Sequence, residues 1–261
     1  AADIAWSSEG TATGGYDYFV TSDGTVPDAS TTVTGSVAST TTTASLSGLT
    51  ANTDYDVYVR SDCGGEQSDW SSAVSFTTPC ATKSLPWSED FENAGVTPDC
   101  WTETGGESWK YDVSADVTSE KVGDEGTITG STTSGNYFAW IDDSGADSPS
   151  TLTSPFVDVS SLTTPQIAFY LISVTGSNPN ATLDVEVYDG SAWNNVGTFN
   201  SDTNGWERKE IALSSLTFTG DARVRFTITD SGSFYDDIAI DDVTFEEAPS
   251  CITPANLTVS N

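Results

Sequence analysis

The stretch Thr182-Leu-Asp-Val-Glu-Val187 carries an apolar side chain at every second position. Successive side chains of a β-strand point to opposite faces, so this spacing predicts a strand with one buried and one solvated face. Residues 54–59 and 223–228 alternate in the same way, and Gly-containing turn signals recur between such runs. No segment has the apolar stripe of an amphipathic helix. The sequence therefore predicts an all-β fold built from antiparallel β-sandwiches.

The composition limits the number of domains and the kinds of partner. A chain of 261 residues suggests two domains. With 8 basic and 39 acidic residues the formal net charge is −31, which repels nucleic-acid phosphates and anionic lipid. No apolar run is long enough to span a bilayer, so neither nucleic-acid binding nor membrane insertion is expected. The acidic residues serve either solubility or the binding of hard cations, chiefly Ca²⁺.

Catalysis is not expected from this sequence. The chain has no His, which excludes Ser–His–Asp and Cys–His nucleophilic sites. The adjacent acids Asp236-Asp237 and Asp241-Asp242 would point to opposite faces of a strand, so neither doublet forms a natural acid/base pair. No Gly-rich phosphate loop opens a helix. We therefore predict a binding or spacer protein rather than an enzyme.

The N-terminal part contains landmarks of a known domain type. The segment Gly48-Leu-Thr-Ala-Asn-Thr-Asp-Tyr-Asp-Val-Tyr-Val-Arg60 resembles the E–F corner and F strand of the fibronectin type III family. The resemblance implies that Tyr55 is the tyrosine-corner residue and Trp6 the core tryptophan of strand B. Residues 68–78 look like strand G. A fibronectin type III-like sandwich is the fold that these landmarks imply.

The remainder of the chain carries three ordered motifs. The first is Glu89-Asp-Phe-Glu-Asn93 followed by Pro98-Asp-Cys-Trp101. The second is Ser134-Gly-Asn-Tyr-Phe-Ala-Trp140 followed by residues 146–155, and the third is Ile238-Ala-Ile-Asp-Asp-Val-Thr-Phe245. Together they resemble the MAM (meprin/A5/mu) family, a jelly-roll sandwich of extracellular adhesion proteins. The pairing with a type III-like domain is similar to secreted multidomain adhesion proteins of Bacteroidota.

These resemblances divide the chain into residues 1–79, 80–248 and 249–261. The first domain lacks the strand A of its family, because residues 2–6 already read as strand B. The tail at 249–261 looks like the strand A that begins a further type III unit. We expect this tail, from the same molecule or a neighbour, to fill the open edge by β-augmentation. The alternative is that the tail is a disordered chain end.

The MAM resemblance also implies a structural calcium ion held between the first and last strands. Glu92 occupies the acidic position after the opening Phe, and Asp241 is the first acid of the closing pair. Alternation along a strand would put Asp90 on the same face as Glu92. Asp142 and Asp143 follow the middle motif and are further candidates. The alternative is that these acids face solvent or cap turns, since the stretch before the middle motif lacks the acid that the family often has there.

The four Cys residues are widely spaced and no His is present, which argues against zinc and for disulfides in a secreted protein. Cys80 and Cys100 flank the opening MAM motif, so the resemblance implies that they pair. Cys63 is expected in the F–G loop, and Cys251 precedes the tail strand. If the tail completes the first domain, these two could pair within or between molecules. A Cys63–Cys80 bond is disfavoured because it would join opposite ends of a sandwich.

Two functions follow from these features. The first is a secreted adhesion or spacer module, whose partners are neighbouring modules or subunits joined head to tail through the C-terminal strand. The alternative is a carbohydrate-binding accessory region of a secreted hydrolase, which would bind glycans through Trp109, Trp193 and Trp206, with Trp140 and Tyr235 as further candidates. Two or more exposed rings on one face would favour glycan binding, whereas buried rings are expected for most large aromatic residues.

Overall fold

The computed structural model describes residues 1–8, 10, 12–113, 135–141, 149–175, 179–232 and 237–249. All regular secondary structure in these ranges is β-strand, which confirms the predicted all-β fold. The chain forms two compact units, residues 1–81 (unit 1) and 82–261 (unit 2). Within the described ranges, no helix has the length and apolar character needed to cross a membrane.

The described residues of unit 1 form six strands in two antiparallel sheets. The strands are β1 (Ala2–Ala5), β2 (Gly15–Thr21), β3 (Gly35–Val37), β4 (Thr43–Leu46), β5 (Asp54–Asp62) and β6 (Val74–Thr77). One sheet contains β1 and β4, and the other has the order β3-β2-β5-β6. The alternation noted at 54–59 lies in β5, where Val57 is buried and Asp54 is exposed.

Aromatic contacts and one buried ion pair hold unit 1 together. The Tyr55 ring stacks on Phe76 at 5.7 Å between centroids, and the Tyr55 hydroxyl accepts a 2.9 Å hydrogen bond from the Thr50 amide. On β2, Asp17 lies 3.1 Å from the Arg60 guanidinium of β5, and both side chains are at most 10% exposed. Because both charges are buried, each depends on the other for compensation.

The described residues of unit 2 form thirteen strands. They are β7 (Lys83–Ser84), β8 (Trp87–Glu89), β9 (Thr102–Gly105), β10 (Lys110–Val113), β11 (Tyr137–Ile141), β12 (Ser150–Thr153), β13 (Val157–Asp158), β14 (Pro165–Ile172), β15 (Thr182–Tyr188), β16 (Trp193–Phe199), β17 (Glu207–Ala212), β18 (Arg223–Thr229) and β19 (Ile238–Glu247). One sheet has the order β10-β11-β19-β14-β17, with β8 also paired to β19. The second has the order β16-β15-β18-β12-β9, and β7 pairs in parallel with β13.

The main core of unit 2 lies between its two larger sheets. The inward residues of β15 and β18 are fully buried, as their alternation predicts. Phe226 of β18 meets Phe169 of β14 with ring centroids 5.1 Å apart. Burying a side chain of this size contributes about 1.5–3 kcal/mol. The sandwich is thus held mainly by apolar residues at alternate positions of facing strands.

A smaller cluster, the outer cluster, buries the opposite face of the sheet around β11. Its members are Phe138, Trp140, Ile172 and Ala239, with Val174 and Trp206 packed against them. Strand β11 is therefore buried on both faces, which explains its continuous run Tyr-Phe-Ala-Trp-Ile. The Trp140 indole donates to Asp112 Oδ2 at 2.9 Å, so the polar atom of this buried ring is satisfied.

The cysteines adopt two states. Cys80 and Cys100 are both disulfide-bonded. Cys63 is a free, exposed thiol in the turn after β5, where its amide donates to the Glu66 carbonyl at 2.8 Å. Cys251 lies outside the described residues, and a bond between molecules stays a prediction. A bond between Cys63 and Cys251 within one molecule also stays a prediction.

The buried ion pair of unit 1 gives a direct test of its packing. We expect Asp17→Ala to destabilise unit 1 by about 3 kcal/mol, because it leaves the buried Arg60 charge without a carboxylate. Asp54→Ala, which removes an exposed carboxylate bonded to Thr77, is the matched control and should cost less than about 1 kcal/mol. Calorimetric unfolding of both variants measures the difference, and equal losses would contradict this assignment.

Candidate functional site

Aromatic and arginine side chains lie together on the outer face of the sheet with the order β16-β15-β18-β12-β9. On β15 and β18, Val, Leu, Phe and Ile residues point into the core, and the intervening residues point outward. The strand register places Tyr188 opposite Trp193 of β16 on one side and opposite Arg223 of β18 on the other. It also places Glu186 opposite Arg225. Antiparallel pairing thus gathers residues from three strands on one surface.

Three aromatic rings form a continuous row there. Phe156, in the segment after β12, meets Tyr188 with centroids 6.2 Å apart, and Tyr188 meets Trp193 at 5.5 Å. Phe156 is 39% exposed, and the other two residues are half-buried. We call Phe156, Tyr188, Trp193, Arg223 and Arg225 the aromatic–arginine patch.

Two guanidinium groups cover the ends of this row. The Arg225 guanidinium lies 4.3 Å from the centroid of Trp193, and that of Arg223 lies 4.6 Å from Phe156. Arg225 also binds Glu186 through two hydrogen bonds of 2.6 and 2.8 Å. Arg223 Nε donates to the Ser154 carbonyl at 2.8 Å, and burial lowers the pKa of Arg223. Planar guanidinium groups stack on aromatic faces, and these fixed contacts orient the rings.

The patch combines apolar ring faces with fixed hydrogen-bonding groups on a rigid sheet. Trp, Tyr and Arg are the residue types that most often dominate binding energy at protein surfaces. Two of the eight basic residues of the chain lie in the patch, although the chain as a whole is strongly acidic. The arrangement is suited to a ligand that offers both an apolar face and hydroxyl groups.

Of the three tryptophans predicted to bind a ligand, Trp193 lies in the patch. Trp109 is only 4% exposed and belongs to the main core, so its prediction as a surface residue is wrong. Trp206 packs edge-on against Phe138 at 5.6 Å in the outer cluster, on the other large sheet. Trp140 is fully buried, and Tyr235 lies outside the described residues.

Four patch residues were not singled out as ligand-binding candidates from the sequence. They are Phe156, Tyr188, Arg223 and Arg225. The alternation at 223–228 does place both Arg residues on the solvated face. The alternation does not show which strands are neighbours. Only the pairing of β15 with β16 and β18 places Tyr188 between Trp193 and Arg223.

The acids predicted to bind calcium have other contacts in the structure. Strand β8 ends at Glu89, and the buried Phe91 has a positive φ of 55°. The chain turns there, so Asp90 and Glu92 do not alternate along one strand as predicted. Glu92 Oε1 accepts hydrogen bonds from the amides at 136 and 137, at 2.5 and 2.6 Å. Asp241 is fully buried, and its Oδ1 accepts from the Asp242 amide at 2.8 Å.

The described residues show no cluster of acidic side chains of the kind that holds a metal ion. Across the described ranges, no group of three or more acidic, Cys or His residues lies close enough to hold a metal. Asp142 and Asp143 lie outside those ranges, and calcium binding stays a prediction. Nearby, Glu89 instead accepts from the Trp101 indole at 2.9 Å, and burial raises the pKa of Glu89. In the described part of the opening motif, acids therefore anchor backbone and indole N–H groups.

The fold defines unit 2 as a two-sheet β-sandwich. A match of the sequence to a family model identifies the family within that class. The model of the family described as "MAM domain, meprin/A5/mu" matches residues 90–251, which is more than half of the chain. The chain therefore belongs to the MAM domain family. A search of curated proteins gives no match.

Solved structures with a similar fold include three carbohydrate-binding modules. TmCBM61, solved in complex with β-1,4-galactotriose, has a TM-score of 0.40 and 16% identity over 61% of this chain and 95% of its own. The C-terminal family 22 carbohydrate-binding module of Clostridium thermocellum Xyn10B has a TM-score of 0.40 and 12% identity, over 64% of this chain and 96% of its own. The CBM22-1 xylan-binding domain of Paenibacillus barcinonensis Xyn10C has a TM-score of 0.37 and 18% identity, over 65% of this chain and 100% of its own. These scores are too low to carry a functional conclusion.

The contacts of Glu92 separate a structural role from a metal-binding role. We expect Glu92→Ala to destabilise unit 2 by about 2 kcal/mol in the presence of chelator, because two backbone amides lose a charged acceptor. A larger loss in calcium than in chelator would show that Glu92 also binds the ion. Urea unfolding in both buffers measures this, and an unchanged stability in chelator would contradict the anchoring role.

Proposed function

We propose that this chain is a non-catalytic extracellular module that binds neutral glycans through the aromatic–arginine patch. The observation that carries the proposal is the row of three contiguous rings on one sheet face. Large aromatic side chains are usually buried, so a partly exposed row of this kind has an energetic cost unless it binds something. Phe156 is exposed, and Tyr188 and Trp193 are half-buried, so each ring keeps part of its surface open to a ligand.

The chemistry of the patch matches a sugar chain. Pyranose rings present C–H groups on their faces and hydroxyl groups around their edges. The faces would lie on Tyr188 and on the side of Trp193 that Arg225 does not cover, while the Arg225–Glu186 pair offers donors and acceptors for hydroxyl groups. Because Arg225 is already paired with Glu186, its charge is compensated and its side chain is held in place.

The net charge favours neutral over acidic glycans. A chain with net charge −31 repels anionic polymers as they approach. Screening at physiological salt limits this repulsion to about 8 Å. The overall charge therefore favours an uncharged polysaccharide, although Arg223 adds a local positive charge beside a backbone carbonyl.

Other parts of the molecule support an extracellular setting and a modular role. Cys80 and Cys100 are disulfide-bonded, and disulfides persist mainly in oxidising compartments. Unit 1 would be a fibronectin type III-like connecting domain. Its order β3-β2-β5-β6 facing β1-β4, and the hydroxyl contact of Tyr55 with Thr50, support this assignment.

The second candidate function is the adhesion or spacer role, in which the chain contacts neighbouring modules. Among the described residues β1 pairs only with β4, and this favours the role because open strand edges pair readily with other strands. Glycan binding and a spacer role are compatible, since they use different units.

A panel of neutral and uronic-acid polysaccharides tests the glycan proposal by affinity electrophoresis followed by calorimetry. We expect binding to a neutral polysaccharide, weakened about tenfold or more by Trp193→Ala, because a central aromatic contact is typically worth 1.4 kcal/mol or more. Tyr188→Ala should also weaken binding, since it interrupts the row.

The matched control is Val74→Ser, which removes an exposed apolar side chain from unit 1 and should leave glycan affinity unchanged. Far-UV circular dichroism and melting confirm that each variant is folded. If no polysaccharide binds, or if Trp193→Ala binds as tightly as the parent chain, the proposal fails and a protein partner becomes the better assignment for the patch.

A further inference from the structure

The three rings of the aromatic–arginine patch are inclined to one another. The planes of Tyr188 and Trp193 meet at 52°, and those of Phe156 and Tyr188 meet at 70°. Neighbouring rings in such a row cannot all lie flat against one plane. The row therefore does not match the flat surface of a crystalline polymer. A single glycan chain can follow it, because each glycosidic linkage has rotatable bonds that incline successive sugar residues.

The turn between β15 and β16 holds Trp193 in this arrangement. The Asp189 carboxylate accepts a hydrogen bond from the Ala192 amide at 2.8 Å and another from Asn194 Nδ2 at 3.0 Å, so it ties down the residues on both sides of Trp193. The Thr219 amide donates to the Asp189 carbonyl at 2.8 Å and fastens the turn to the segment before β18. A site that is fixed in this way keeps its rings inclined when a ligand binds.

The middle ring of the row, Tyr188, has an available hydroxyl group. Its oxygen makes no hydrogen bond to any described residue, and it reaches solvent. The Tyr111 hydroxyl, in contrast, donates to Glu103 at 2.9 Å. The two guanidinium groups of the patch lie over the outer rings, and within the described ranges no cation lies over Tyr188. The middle ring thus offers a face and a hydrogen-bonding group to the same ligand.

Further hydrogen-bonding side chains lie along one side of the row. Glu186, two residues before Tyr188, faces outward with it and pairs with Arg225. One further step along the same strands, Asp184 lies opposite Thr227 on the same face. Sugar residues lying on the rings would therefore direct the hydroxyl groups of one edge toward these side chains.

We propose that the row holds three consecutive sugar residues of a single twisted chain, with the middle residue hydrogen-bonded to the Tyr188 hydroxyl, an assignment that rests on the glycan function proposed above. The spacings of 5.5 and 6.2 Å between neighbouring ring centroids are comparable with the length of one sugar residue. Each contact between a sugar and a ring is weak alone, so useful affinity requires the sum of several contacts. The ligand is therefore a soluble neutral glycan that is bound along its length.

Calorimetry with oligosaccharides of one to six residues, prepared from each neutral polysaccharide of the panel, tests the number of contacts. We expect affinity to rise at least about tenfold between one and three residues and less than about twofold between four and six, because the row has three rings. Phe156→Ala removes the end ring and should lower the affinity for three residues about fivefold, toward that for two residues.

Tyr188→Phe removes the central hydroxyl group and keeps the ring. It should weaken binding of the three-residue ligand about two- to tenfold, which is the range for one neutral hydrogen bond, and leave the dependence on chain length unchanged. Tyr170→Phe removes a hydroxyl group from a half-buried residue of β14, in the other large sheet, and is the matched control. This variant should bind as tightly as the parent chain.

The possible results separate this arrangement from the glycan function itself. Binding that depends on Trp193 but does not strengthen beyond one sugar residue would overturn the three-residue row and leave the function intact. Retention on crystalline cellulose or chitin that Trp193→Ala abolishes would overturn the twisted chain as the ligand. A Tyr188→Phe variant that binds as tightly as the parent would overturn the hydroxyl contact. If no polysaccharide binds, both the arrangement and the glycan function fail.

Discussion

Strand alternation within an antiparallel sandwich is the constraint on which the rest of this structure depends. Each strand that packs on the core of unit 2 places one set of side chains inward and the other set outward. The inward set of β15 and β18 is fully buried and apolar. The outward set is therefore determined by the same register. In a chain of net charge −31, an outward row of rings supported by two Arg residues is a departure from the rest of the surface.

The sequence predicts the fold class because alternation is a local property. Residues 182–187 and 223–228 lie in β15 and β18, and the MAM motifs identify the family. The candidate site was predicted less completely, because it depends on which strands are neighbours. Nothing in the local sequence distinguishes Trp109, which is buried, from Trp193, which is half-exposed. At Phe91 the positive φ ends the strand, so Asp90 and Glu92 line one cavity without alternating along a strand as predicted.

The two units offer surfaces of different chemistry. The patch of unit 2 presents side chains on a sheet face, where aromatic rings and guanidinium groups are the groups that a ligand would contact. Unit 1 presents β1, which among the described residues pairs only with β4. A strand that adds to such an edge gains affinity from backbone hydrogen bonds and specificity from alternate side chains.

Hydroxyl-radical footprinting with mass spectrometry tests the central claim, that the aromatic–arginine patch is the ligand-binding surface, without any substitution. The rates of oxidation of Phe156, Tyr188 and Trp193 would be measured with and without a neutral polysaccharide that the chain retains. The account predicts that these three rings are protected together on binding, while the exposed Val74 of unit 1 is unaffected. Protection of other aromatic residues, with these three unchanged, would contradict it.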